Sequence, residues 1–141
     1  MRDCRRFYVD GRWVEPAGAR DLDVANPATG EVAGRISLGG RADVDRAVAA
    51  ARRAFGSWSL STREERMALL GRIVEVYRHR MDDMALAISE EMGAPLAKLA
   101  RPSQAPSGLG HFQVALEVLA GFEFERVQGT TRVVREPAGV C

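Results

Sequence analysis

Two apolar stripes at helical spacing, one after the other, most restrict what this chain can fold into. Val44, Ala47, Val48, Ala51, Phe55 and Trp58 recur at steps of three and four residues, which puts them on one face of a helix. Met67, Leu70, Ile73, Val74, Tyr77 and Met81 form a second such face. Ahead of it, Ser61-Thr62-Arg63-Glu64 has the form of a capping box. There the Ser61 hydroxyl and the Glu64 carboxylate would satisfy backbone N–H groups that a helix start leaves orphaned. A third helix is expected near Asp82 to Met92, stopped by Gly93 with Pro95 just beyond. Each apolar face needs a covering layer, and both flanks of the helical region read as strand and turn.

The N-terminal flank opens with Phe7-Tyr8-Val9 and Trp13-Val14 around Asp10-Gly11, a short hairpin signal. Asn26-Pro27 begins a turn completed by Thr29-Gly30, and Glu31 to Leu38 follows as a strand. Trp13 and Trp58, each in register with other apolar residues, are expected to be packing anchors. At the other end, Phe122 to Glu136 reads as two strands around Gly129-Thr130. In the second, Thr131 to Glu136, Arg132, Val134 and Glu136 share one face while Thr131, Val133 and Arg135 share the other. Pro137 interrupts that ladder, because proline has no backbone N–H to give. Ala138-Gly139-Val140-Cys141 then has the small, apolar character of a buried strand's opening. A buried strand needs neighbours on its edges and layers on both faces. The expectation is therefore that these 141 residues are the front part of a larger protein.

Between the third helix and the C-terminal strands, Arg101-Pro102-Ser103-Gln104-Ala105-Pro106-Ser107-Gly108 carries two prolines and a glycine. Proline inside a helix costs about 3 kcal/mol through a lost hydrogen bond and a ring clash. A loop that interrupts the helix, with Pro106 near a fresh N-terminus, is one expectation; sequence drift is the other. Helix is expected again through Leu109, Phe112, Leu116 and Leu119, ending at Gly121.

Charge and cysteine content narrow the partners. The formal charge is +1 with 28% charged residues, which gives no support for nucleic acid or an anionic membrane surface. No apolar run approaches the roughly 18 residues of a membrane span. The basic start Met1-Arg2-Asp3-Cys4-Arg5-Arg6 lacks a signal-peptide core, and the expected location is the cytoplasm. The 2 cysteines, Cys4 and Cys141, lie at opposite ends with neither disulfide nor zinc spacing.

Several segments, in order along the chain, resemble the aldehyde dehydrogenase family. Phe7 to Val14 is similar to the family's opening hairpin, and Asn26-Pro27-Ala28-Thr29-Gly30-Glu31 to the turn after it. Ala42 to Val48, continued through Phe55 and Trp58, is similar to its first long helix. Glu90-Glu91-Met92-Gly93-Ala94-Pro95-Leu96 resembles a helix ending in the family's glycine-proline stop. Arg135-Glu136-Pro137-Ala138-Gly139-Val140 resembles the segment that enters the cofactor-binding sheet.

The resemblance implies an incomplete α/β fold: an N-terminal β-hairpin, a helical segment flanking a parallel sheet outside these residues, and a C-terminal β-ribbon. It divides the chain into residues 1–121 as the N-terminal part of the cofactor-binding domain, 122–137 as the start of an oligomerisation ribbon, and 138–141 as the first residues of a strand re-entering that domain. It implies oxidation of an aldehyde to a carboxylic acid with NAD or NADP. The family does this with a thiolate that attacks the carbonyl, an asparagine and a backbone amide that hold the oxyanion, and a glutamate that activates water. All three side chains, and the pyrophosphate-binding loops, belong to later parts of the family's chain. No catalytic, cofactor-binding or metal residue is thus expected among these 141, neither NAD nor NADP is expected to bind them, and they are expected to be inactive alone.

Individual candidates reduce to few. Cys141 lacks the electropositive, partly open setting of a reactive thiol, and Cys4 is read as a surface residue. His79 is read on the polar side of a helix. Ser107 and His111 fall, by the resemblance, where residues of the substrate entrance tunnel sit, one helical turn apart; an exposed or capping histidine is the alternative for His111. Gly108 and Gly110 follow a broken helix and not a strand, the wrong context for a phosphate cradle. Glu90 and Glu91 are adjacent, point in different directions and read as a solvated helix end. Two other functions stay open: a free-standing module that adds its ribbon to a full-length subunit, and one half of a split enzyme.

Overall fold

The computed structural model describes residues 2–18 and 20–141. The N-terminal part builds a three-stranded sheet and a separate hairpin. Strands β1 (Arg2–Cys4), β4 (Asp21–Ala25) and β5 (Val32–Ser37) lie in the order β1-β5-β4, with β1 parallel to β5 and β4 antiparallel to it. Strands β2 (Phe7–Val9) and β3 (Arg12–Val14) form the expected hairpin around Asp10-Gly11. Both turn residues have positive φ, 56° and 76°, the backbone a two-residue hairpin loop of this twist demands. The Asn26–Gly30 turn is closed by Gly30 N–H donating to Asn26 O at 2.8 Å, and by Ala28 N–H donating to the Asn26 side chain at 2.9 Å.

Four α-helices follow: α1 (Arg41–Trp58), α2 (Arg63–His79), α3 (Met81–Met92) and α4 (Ala105–Ala120). The capping box at α2 is real but sits one residue later than the sequence suggests. Thr62 is the cap: its Oγ1 accepts the Glu65 N–H at 3.1 Å, and the Glu65 carboxylate accepts the Thr62 N–H at 2.8 Å. Ser61 instead donates to Trp58 O at 2.6 Å, finishing the turn that ends α1. Helix α3 stops at Gly93 in the left-handed conformation, φ 71°, as its sequence implies.

The segment with two prolines is not a loop. Residues Leu96–Gln104 form a π-helical run that feeds directly into α4. Its wide turns show in Ala100 N–H bonding to Pro95 O at 3.2 Å and Ala105 N–H bonding to Ala100 O, both five residues back. A widened turn moves the carbonyl that the Pro102 ring would strike, so the chain keeps helical direction through a residue that an α-helix rejects. Pro106 lies in the first turn of α4, where a missing N–H costs little.

The core is small and made of small residues. Ala85, Ala94, Ala100 and Ala105 are buried together where α3, the π-helical run and α4 meet, with Met81, Ile88 and Leu96 packed around them. Among the described residues no large side chain is fully buried. Contrary to expectation, the two tryptophans anchor no core within the described residues. Trp13 is 62% exposed and rests edge-on against Tyr8, and Trp58 is 49% exposed. The apolar face of α1 is open, with Val44 and Val48 exposed as well; what α1 buries is Asp43 and Ala50.

The C-terminal ribbon pairs β6 (Glu125–Gln128) with β7 (Thr131–Val134) in the register Glu125↔Val134 to Gln128↔Thr131. Its turn is at Gly129, φ 62°. The second strand is two residues shorter than its sequence pattern. Residues 138–141, expected to open a buried strand, join no ladder here, and Val140 and Cys141 are exposed.

Candidate functional site

Helix α4 carries Ser107 and His111, the two residues that the family resemblance marks for a substrate path. Its position is fixed by a seam with α2. Tyr77 reaches across from α2 and donates its hydroxyl to Ala105 O at 3.1 Å, while its ring lies 6.1 Å from that of Phe112. Gly108 makes room for this ring: a methyl group built at Gly108 would overlap the Tyr77 hydroxyl. The first turn of α4 is thereby pinned, and Ser107 and His111 project from the side that the seam does not cover. Both are exposed, and among the described residues neither side chain has a hydrogen-bond partner. They can line a path and offer a hydroxyl and an imidazole to a passing polar group. Among the described residues no base or carboxylate is hydrogen-bonded to either one.

The other candidates stay apart. His79 is exposed, with Nδ1 at 2.9 Å from Glu75 O, at the end of α2. Cys4 and Cys141 are both exposed and free. Among the described residues no three of His, Cys, Asp and Glu gather into a metal-sized cluster. Glu90 and Glu91 do share a partner, against the expectation that they diverge. The Arg2 guanidinium lies 2.9 Å from Glu90 and 3.8 Å from Glu91, because its planar fork spans both and ties β1 to the end of α3.

A cleft of about 420 Å³ opens beside β1, lined by Asp3, Cys4, Arg5, Trp13 and Asp21 among others. Its charges compensate one another. Arg5 pairs with Asp3 at 2.7 Å and Asp21 at 3.4 Å, and the Arg5 hydrogen bonds hold the Asp3 carboxyl down at about 2. Such a self-paired rim makes no demand for a ligand.

One buried polar group escaped sequence reasoning. Asp43, only 5% exposed, accepts from Ala17 N at 2.9 Å, Gly40 N at 3.0 Å and Arg46 Nη2 at 3.0 Å. The bonds from Ala17 and Gly40, helped by Arg46, hold its carboxyl below the usual range against the opposing effect of burial. Arg46 also donates to Glu15 O at 3.0 Å, so one residue pair fastens the loop after the hairpin to the start of α1. Its only sequence signal is an acid three residues into a helix.

Comparison with known proteins gives one answer. The model of the aldehyde dehydrogenase family matches residues 13–141. A 3-succinoylsemialdehyde-pyridine dehydrogenase of Pseudomonas sp is 55% identical over 141 residues, all of this chain and 30% of that protein. Among solved structures, a variant of aldehyde dehydrogenase C from Pseudomonas syringae, complexed with NAD+ and octanal, superposes with a TM-score of 0.91. It is 45% identical over 95% of this chain and 27% of its own. A Mycobacterium tuberculosis aldehyde dehydrogenase complexed with NAD+ gives 0.88 at 27% identity, over 96% of this chain and 29% of its own. The chain thus spans about 30% of the length of the relatives it matches.

Proposed function

The chain belongs to the aldehyde dehydrogenase family, and on that premise we propose that it serves an enzyme that oxidises an aldehyde to a carboxylic acid with NAD or NADP. In this reading residues 1–121 supply helices that flank the cofactor sheet and 122–137 half of an oligomerisation ribbon, while 138–141 enter the sheet. Ser107 and His111 form part of one wall of the substrate tunnel. The thiolate, the oxyanion donors and the water-activating carboxylate come from polypeptide outside these residues, as does the hydride-accepting nicotinamide site. The work takes place in the cytoplasm. No helix among the described residues is long and apolar enough to cross a membrane.

The observation that carries this reading is the open apolar face of α1, where Val44, Val48 and Trp58 stand exposed in a chain that matches about 30% of its relatives. A face of that kind is a layer waiting for a sheet. The test is a chimera in which this chain replaces the matching 30% of the pyridine-semialdehyde relative. Aldehyde-dependent NADH formation by the chimera is expected, and a folded but inactive chimera would sink the proposal. The 141-residue chain alone, assayed in parallel with NAD+ and octanal, is expected to stay at background.

A second reading has one observation in its favour. The ribbon β6–β7 is a two-stranded sheet with unpaired edges, a template for adding a strand to a full-length subunit. A stoichiometric complex with a full-length relative would support it.

A further inference from the structure

Three arginines converge on a groove of about 430 Å³ where the N-terminus of α2 meets the approach to the ribbon. Phe122 and Phe124 form its floor, edge to face at 4.9 Å. Arg135 lies 4.9 Å from the Phe122 ring centre, and Arg63 and Arg66 lie 5.9 and 6.0 Å from that of Phe124. The groove forms because the 122–124 turn folds back on α2, with Arg63 donating to Phe122 O and Arg66 Nε to Ser61 Oγ at 2.8 Å.

What sets this groove apart is that three arginines with no carboxylate partner among the described residues share one wall. None of the three arginines pairs with a carboxylate among the described residues, whereas Arg2, Arg5, Arg35, Arg46 and Arg101 all do. Among the described residues Glu136 is the one acid on the groove wall. The Nε of Arg63 is buried and has no hydrogen-bond partner. A buried guanidinium N–H without an acceptor is costly, and three stacked cations raise the local potential further, as does the positive end of the α2 dipole. The volume falls in the range of small-molecule sites.

We propose that this groove binds a small carboxylate carried on an apolar body, the carboxylate between Arg63, Arg66 and Arg135 and the body on the Phe122–Phe124 floor. The assignment rests on the groove alone and is independent of the activity of any larger enzyme. Two complementary features define the ligand. Planar guanidiniums favour a planar, bidentate anion, and the aromatic floor favours a ring or short alkyl chain.

The test is isothermal titration of the chimera described above, in which the apolar faces of this chain are covered, with benzoate, inorganic phosphate and a polyglutamate peptide at two salt concentrations. Saturable benzoate binding is expected, tighter than phosphate and weakened by salt. Arg135→Gln should weaken it about ten-fold, the equivalent of ~1.4 kcal/mol, because Arg135 stacks on the floor and is exposed. Arg12→Gln, in the N-terminal hairpin, should leave it unchanged, and far-UV circular dichroism should find both variants folded. Absence of saturable benzoate binding, phosphate binding equally well, or indifference to Arg135→Gln would each overturn the assignment. Tighter binding of polyglutamate than of benzoate would overturn it too, making the groove a docking surface for acidic polypeptide.

Discussion

Gly93 shows how one residue can be fixed by two independent constraints. It ends α3 in the left-handed region, and its Cα faces the Asn26–Gly30 turn so closely that an added Cβ would lie 3.0 Å from Pro27 Cγ and 3.4 Å from Ala28 N. Gly93→Ala therefore meets both a backbone penalty and a steric one, and a loss of about 1–3 kcal/mol is expected in urea unfolding. Asp43 makes a prediction about pH. Its folded carboxyl titrates lower than in the unfolded chain, because Ala17 and Gly40 donate to the ionised form. The stability it contributes is complete above the ordinary carboxylate range and is lost as pH falls through its folded value. Asp43→Asn keeps the shape but cannot accept at both oxygens. Its melting temperature should lie below that of the parent near pH 7, and the gap should narrow as the pH falls below the ordinary carboxylate range. A gap independent of pH would mean that the charge plays no part.

The seam between α2 and α4 is decided by elements. Tyr77→Phe removes the bond to Ala105 O and should cost about 0.5–1.5 kcal/mol. Gly108→Ala forces the Tyr77 hydroxyl aside and should cost about 1–3 kcal/mol. The double variant should lose less than the sum, because without the hydroxyl part of the overlap is gone. At this scale the sequence was readable wherever local chemistry decides. The Asp10-Gly11 turn, the Gly93 stop and the stripe from Met67 to Tyr77 all carry their own signals, and each is where those signals point, whereas Met81, expected on the same stripe, opens α3 after α2 has ended at His79. The run through Pro102 was not readable. Proline chemistry argues for a break, and the i→i+5 pattern that avoids one is held by packing of Ala100 and Ala105 into the small core, which has no local signature. The parallel pairing of β1 with β5 was equally hidden, since it joins residues some thirty positions apart. Ser107 and His111 were marked only by the family resemblance: they lie on one exposed flank of α4, and nothing in their own residue types names a partner. The arginine groove was illegible for the same reason, because Arg135 meets Arg63 and Arg66 only after the chain has turned back.

Across the whole molecule the apolar surface is badly matched to the core. The buried cluster consists of alanines, while Val44, Val48, Trp58, Val76, Val114 and Val118 stand exposed along three helices, with Leu60 exposed in the turn between α1 and α2. Four buried alanines remove little apolar area from water, at roughly 25 cal/mol per Å², and the exposed faces gain nothing until something covers them. The 141-residue chain alone should therefore bind an apolar dye, associate with itself and melt broadly. Val44→Glu with Val48→Glu tests whether the α1 face is responsible. Both sites are exposed, so the double change should shift the stability of the isolated chain by only about 0.5 kcal/mol per site. Dye binding and self-association should drop together. In the chimera with the relative, the same two glutamates should be ruinous, because there the face would be buried as two unpaired charges. A double variant harmless in both settings would show that α1 faces water in the larger protein as well, and the covering sheet would have to be sought against another helix.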